Sequence, residues 1–414
     1  MGFQQGLSGL NGAARNLDVI GNNIANVTTV GFKTSRAEFA DVYASSLYGM
    51  GGVQVGIGTQ ITNINQQFTQ GVISITNNPL DVAVNGDGFF RLSGSGGISY
   101  SRNGQFHLDK DGFLVTNTGE NVTGYTTLTL DPATNSVIGA ADLGQIQIDL
   151  NDLEPKPTTE MDLVVNLDSQ ALTLSSPPAP PLSASDYNYS TTATVYDSEG
   201  GSHSLTFYFT KVGANSWEVN ATIDNASTAL TPANSPLTFN TDGTVATGQT
   251  LTLADDGTWS SALGVDLLSI NLDFTTNTTQ FAGSSGVNSI SQDGFSRGRV
   301  VGVSIDENGV VSGRYTNGLS RPLQQIVLAN FRNPNALVPL GNNQWASTGE
   351  SGSEVLNAPG DGIAGAVQSG ATEDANVDMT AELVNLIVAQ RLYQANAQTI
   401  RAQDQVLQTL VNLR

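Results

Sequence analysis

The 414-residue chain has no cysteine and only two histidines, which removes most of the side-chain chemistry an enzyme would use. Without thiols there is no disulfide framework and no thiolate site, so nothing in the fold depends on a redox compartment. His107 lies opposite Phe106 and Leu108 in "QFHLD" and reads as a solvent-facing strand residue, and His203 sits in a turn, "SEGGSHS". From two such histidines neither a nucleophile–base pair nor a zinc cluster can be drawn. No catalytic residue, metal ligand or cofactor is therefore assigned. Basic residues are also scarce, 16 Lys plus Arg against 37 Asp plus Glu, and a net charge of −21 argues against a nucleic-acid or anionic-lipid partner. No apolar run approaches membrane-spanning length, which excludes insertion by a helix. The first thirty residues lack a basic segment followed by an unbroken apolar one, so no cleaved secretory signal is expected, and any export would have to read an uncleaved terminus.

What is present is concentrated at the two ends. Phe3, Leu10, Leu17 and Ile24 recur every seven residues, with Leu7, Ala14 and Gly21 offset by four. Near the C-terminus Met379, Leu386, Tyr393, Ile400 and Leu407 repeat in the same way, and Leu383, Ala397 and Val411 form a second series that Gln390 and Asp404 interrupt. Both are coiled-coil seams, placed over 1–30 and 375–414. The C-terminal segment has no Gly or Pro from Met379 to Leu410, and Asn376 or Asp378 can cap it. The first helix carries Gly2, Gly6, Gly9 and Gly12, each costing about 0.5–1 kcal/mol relative to Ala, and should be largely unfolded alone. The two seams could pair within one chain, parallel or antiparallel. The flanking positions, however, hold amides such as Asn11, Asn16, Asn23, Asn385 and Gln398 where a solvated helix carries Lys and Glu. Amides tolerate burial better than ions, which points to further neighbours supplied by other copies.

Between the ends the pattern is that of strands. "LDVAVNGDGFFRL" reads as strand, turn, strand. "FHLDKDGFLV" and "VSIDENGVV" are two like hairpins about two hundred residues apart, which suggests one β-domain built from both sides of an insertion. Neither turn has the further ligands and twelfth-position Glu of a calcium loop. The expected arrangement is an extended linker over 31–70, a first β-domain over 71–145 with 288–374, and an inserted acidic β-domain over 146–287. "SLTFYFT" and "LSINLDF" would supply core strands of the insertion, and "SSPPAPPLSAS" a surface loop. From 157 to 296 Lys211 is the only base against 14 carboxylates. The fold class is mainly β with α-helical termini.

Three stretches together resemble the bacterial flagellar axial family of hook and rod proteins. "LSGLNGAARNLDVIGNNIANVTTVGFK" is similar to its N-terminal signature, in which Asn26 closes an Asn-Ile-Ala-Asn run ahead of Gly31, Phe32 and Lys33. "NNPLDVAVNGDGFF" with "YSRNGQFHLDKDGFLV" resembles its first β-domain, and "NVDMTAELVNLIVAQRLYQANAQTIRAQDQVLQTLVNL" its C-terminal helix. The resemblance implies a homopolymer forming a curved hollow tube, with the terminal helices at its core and Gly31 and Phe32 marking where the chain leaves the first helix. It further implies type III export to the flagellum without a cleaved signal, and contacts with rod, hook-cap and hook–filament junction proteins. Within the family the large acidic insertion points to a hook subunit, a universal joint transmitting torque in motility. A distal rod subunit of the basal body is the alternative. A surface adhesin would leave the amide-rich seams unexplained, and a glycoside-cleaving enzyme would need two carboxylates at a set separation, whereas Asp255 and Asp256 are adjacent.

Overall fold

The computed structural model describes the chain apart from residues 1, 43–55, 131–136, 150, 175–182, 184, 225–229, 247–249, 255–256, 258, 261–263, 265–268, 275–276 and 413–414, and the side chains of 2 and 410–412. The Val411 side chain, Asp255, Asp256 and most of the Pro-rich stretch thus lie outside the described residues. The chain is mainly β with a helix at each end, α1 (Gly2–Ala25) and α2 (Met379–Asn412). It divides into two compact units: Met1–Leu150, Gly302–Arg314 and Ser320–Arg414 form the first, and Asn151–Val301 with Tyr315–Leu319 the second.

The first unit draws its β-body from both sides of the second. Phe90, Leu92, Leu114 and Val122 share one apolar core with Ile305, Val311, Ile326 and Leu328. Strand Asn121–Leu130 pairs with Ser320–Ile326, Gln325 opposite Tyr125, so strands far apart in sequence close the sheet. The two like hairpins use one device. Asp109 Oδ1 accepts from the N–H of Asp111 and Phe113 at 2.9 and 2.8 Å, and Asp306 Oδ1 from Asn308 and Val310 at the same distances. Such Asx turns hold the backbone where the chain reverses.

Two expectations change in this unit. Val82–Asn85 does not form a hairpin with the strand after it; it pairs with Ala366–Ser369, Val84 opposite Val367. Val82, Ala83 and Val84 are all fully buried, so this strand is covered on both faces and alternation is not its pattern. The stretch 31–70 is not an irregular linker, because β1 (Ser35–Val42) and β2 (Gly58–Gln66) pair antiparallel from Ser35–Gln66 to Val42–Gly58. Their sequences have weak apolar alternation, since the hairpin is half-exposed along much of its length.

The second unit has its own core between two four-stranded sheets, one containing Glu160–Asn166 and the other Ser202–Gly213. Alternation in "SLTFYFT" puts Leu205, Phe207 and Phe209 inward, where they meet Met161, Leu163, Trp217, Val219 and Leu272. Its limits differ from 146–287. Gly286–Gln292 pairs with Glu160–Asn166 inside this unit, Gln292 opposite Met161, while Ile146 and Ile148 are buried in the core of the first unit. Lys211, the lone base of the region, is buried and donates from Nζ to the carbonyls of Ser169 and Ala171.

His203 lies near the start of strand Ser202–Gly213, between two carboxylates, its Nε2 2.9 Å from Asp197 Oδ2 and its Nδ1 2.6 Å from Asp224 Oδ2. Burial pushes the imidazole pKa down, but the hydrogen bonds and charges of Asp224 and Asp197 outweigh it, and the pKa is raised from 6.5. Burial also works to raise both Asp pKa values; His203 and the backbone N–H of Gly201, Glu199 and Ser204 outweigh it and hold them below 3.8. A raised imidazole pKa stabilises the fold below 6.5 and stops doing so as pH rises through the folded value, and depressed carboxyl values act above 3.8 and fail below it. The His203→Gln variant is expected to lower the melting temperature of this unit by about 2–4 °C at pH 5, the shift of about 1 kcal/mol in a unit of this size. The gap between wild type and variant should close toward pH 9; a gap independent of pH in calorimetry would contradict the charged bridge.

Candidate assembly interface

The two terminal helices lie antiparallel against each other. A Cβ added at Gly6 would stand 3.1 Å from Ile400 Cγ1, and one at Gly9 2.8 Å from Asn396 Oδ1, while Asn23 and Glu382 line one groove. The glycines that weaken α1 as an isolated helix thus leave room for the Ile400 and Asn396 side chains of α2. Gly12 meets a different neighbour, the Phe39 ring of β1, at 3.3 Å from its would-be Cβ.

This pairing does not run along the expected seams. On α1 the buried positions are Gly6, Gly12, Val19, Ile20 and Asn23, whereas Leu10, Ala14, Leu17 and Ile24 are half-buried and Phe3 and Leu7 are 48% and 43% exposed. On α2 Leu386 and Ile400 are half-buried, Ala389 is the deepest residue, and Met379, Leu383, Tyr393 and Leu407 are exposed. The positions turned to α1 follow Glu382, Ala389, Asn396 and Gln403 with Leu386 and Ile400, all at least half-buried, a series one residue away from the one containing Leu383. Small and amide residues carry the contact within the chain, and the large apolar residues are left over. Reading α2 at a period of 3.6 with Ile400 and Asn396 weighed as partners for the Gly6 and Gly9 positions would have found it. A groove of about 530 Å³ follows the crease, walled by Val19, Ile20, Phe39, Val388 and Leu392, with Glu382 and Asn385 at one end. Burial raises the Glu382 pKa there.

Below the helices the chain crosses into the β-body through a polar junction. Asn26 ends α1, its N–H and its Nδ2 both donating to Asn22 O, at 3.2 and 2.9 Å. Asn23 then holds Ser35 from both sides, donating to its carbonyl at 2.8 Å and accepting from its N–H at 3.0 Å. Gly31 has φ +73°, and its would-be Cβ lies 2.6 Å from the backbone nitrogen of Asn103. Phe32 is buried, and Lys33 is wholly buried, with Nζ donating to Thr69 O and Glu373 Oε1, both at 2.7 Å. Glu373 Oε1 also accepts from Gly71 N at 2.8 Å, its Oε2 faces Arg102 Nη1 at 3.3 Å, and its carbonyl accepts from Gly31 N at 2.8 Å. Burial pushes the Lys33 pKa down against the pull of Glu373.

Helix α2 is capped by Asp378, whose Oδ1 accepts from Thr380 N at 2.8 Å and Ala381 N at 3.1 Å. Asn376, the other capping candidate, instead accepts from Thr34 N and donates to Gln67 O, both at 2.7 Å. The structure therefore brings Gly31, Phe32 and Lys33 into one knot whose partners, Glu373, Arg102 and Asn376, sequence reading does not find. Lys33 and Glu373 stand 340 positions apart, and no local pattern marks a long-range pair.

Comparison with known proteins accounts for each of these segments. Residues 3–33 match the model described as flagella basal body rod protein, 83–153 the flagellar hook protein FlgE/F/G D1 domain, 166–295 the flagellar basal body protein FlaE D2 domain, and 368–413 the flagellar basal body rod FlgEFG protein C-terminal region. The chain is 42% identical to the flagellar hook protein FlgE of Salmonella typhimurium, with 100% of both chains covered. The chain belongs to the flagellar hook protein family. Identity to the hook protein of Escherichia coli K12 is 40% with full coverage of both, and to that of Borreliella burgdorferi 33%, covering 99% of this chain and 98% of the relative. The crystal structure of Helicobacter pylori flagellar hook protein FlgE2 shares the fold, with a TM-score of 0.51 at 17% identity over 73% of this chain and 99% of that one.

Both partners of the buried ion pair fall inside segments matched by family models, Lys33 at the end of the first and Glu373 near the start of the last. Among the described residues no helix of this hook-family chain is long and apolar enough to cross a membrane, and no group of three His, Asp or Glu residues could hold a metal ion. A Gly31→Ala change would place a methyl group against backbone in a left-handed conformation, and is expected to destabilise the first unit by about 2 kcal/mol or more. Urea unfolding followed by tryptophan emission would measure it.

Proposed function

We propose that the chain is the structural subunit of the flagellar hook and polymerises through its terminal helices into a curved hollow tube, a universal joint between the motor with its rod and the filament. The observation that carries this reading is the surface left open on the helical pair. Phe3, Leu7, Met379, Leu383, Ile387, Val388, Leu392 and Leu407 are each 43–55% exposed. Fully burying one such side chain stabilises by roughly 1.5–3 kcal/mol, so several half-covered ones give neighbouring copies a substantial gain. In this reading the seam residues Phe3, Leu7, Leu10, Ala14, Leu17 and Ile24, and Met379, Leu383, Leu386, Tyr393, Ile400, Leu407 and Val411, form coiled-coil contacts between subunits as well as within one. Asn26, Gly31, Phe32 and Lys33 form the turn by which each chain leaves that core.

The domain scheme follows from the same idea. The helical ends join subunits, the β-body of the first unit carries them, and the second unit, with its own apolar core, adds an acidic body that need not share in the seam. Exposed ion pairs such as Asp152 with Arg299, which solvent screens, can exchange as subunits slide during bending. Partners would be the rod, the hook cap, the hook–filament junction proteins and the type III export apparatus, which would place the polymer outside the cell. A hook role is favoured over a rod role by full-length identity to hook proteins that includes the second unit.

The Leu383→Asp and Phe3→Asp variants test the seam, since both side chains are open in the single chain. Far-ultraviolet circular dichroism should match wild type, while electron microscopy under polymerising conditions shows no tubes. Normal tubes from both variants would overturn the reading.

A further inference from the structure

We propose that Glu373 is a positioning residue, a latch that makes ordering of the exit from α1 conditional on arrival of the C-terminal return strand. One residue grips three distant segments. Its carbonyl holds Gly31 N at 2.8 Å, and its carboxylate holds Lys33 Nζ at 2.7 Å, Gly71 N at 2.8 Å and Arg102 Nη1 at 3.3 Å. The side chains of Lys33 and Glu373 are 0% exposed and that of Arg102 is 2% exposed. Two buried cations therefore share one buried anion, and Arg102 Nε has no partner of its own.

Removing a single partner from such a set leaves an uncompensated charge in a dry site, which is far more costly than losing one exposed hydrogen bond. An apolar trio of like volume would pack as tightly, but would accept many registers. A carboxylate that must face two cations and one backbone N–H closes in a single arrangement. The Ala371–Glu373 strand pairs with Ile73–Ile75, Glu373 opposite Ile73, so the register of that short ladder sets where the carboxylate lands. Until it lands, Lys33 stays in water and the Gly31 turn keeps its local bonds and the bond from Asn343 Nδ2 to Val30 O at 2.8 Å.

The test is amide hydrogen exchange on dilute full-length monomer. Gly31, Thr34, Gly71 and Asp374 report the junction, because their N–H groups bond Glu373 O, Asn376 Oδ1, Glu373 Oε1 and Val72 O. Amides of Phe89–Gly94 report the β-body. In Glu373→Gln we expect junction protection to fall roughly a hundredfold with the β-body unchanged. Lys33→Met should give a smaller loss, since Arg102 still neutralises the carboxylate, and the double variant should lose no more than Glu373→Gln alone. Unchanged junction protection in both single variants, or losses that add in the double, would overturn the latch. If Glu373→Gln unfolds the β-body as well, Lys33→Met decides, and unchanged protection there refutes it. Because the monomer is measured, failure here and failure to polymerise are separate results.

Discussion

The two ends of this chain must meet, and the interaction that joins them is a carboxylate buried between two cations. Glu373 against Lys33 and Arg102 ties the exit of the first helix to the approach of the last at the edge of the β-body. The energetic logic is asymmetric. Formed, the cluster contributes little beyond what apolar residues would give, but broken it leaves charge in a site closed off from bulk solvent. Position, rather than strength, is what such a cluster supplies, and the amides around it act likewise. Asn23 on Ser35 and Asn376 on Thr34 and Gln67 fix backbone to backbone through short side chains.

Above the junction the constraint is different. Glycines and amides allow α1 and α2 to pair closely, and the large apolar side chains that would finish a core are turned partly outward. A helix pair of this kind is complete enough to form and incomplete enough to seek neighbours. The second unit shows the opposite economy. Leu205, Phe207, Phe209 and Trp217 close a core between its two sheets with no help from the rest of the chain. Family membership, with full-length identity to hook proteins, covers both kinds of construction in one chain.

Much of this was legible in the residues themselves. Heptad spacing located both helices, turn chemistry at Asp109 and Asp306 located the paired hairpins, and a Gly-Phe-Lys after Asn-Ile-Ala-Asn pointed to the family. These are local signals, carried by backbone preferences and side-chain periods that neighbours in sequence already fix. Strand pairing and boundaries are what local pattern misses: Val82–Asn85 pairs with Ala366–Ser369, the stretch 31–70 carries a hairpin, and the second unit runs from Asn151 to Val301 with Tyr315–Leu319.

By itself, then, the amino-acid order determined which segments are helix and strand, where the chain turns, and that its ends carry apolar stripes. Tertiary structure decided which face of each helix turns inward, which strands pair, and that Lys33 meets Glu373. The physical reason is range: propensity and periodicity act over a turn or two, while a buried charge finds its partner only after 340 residues of chain have folded back to bring it there.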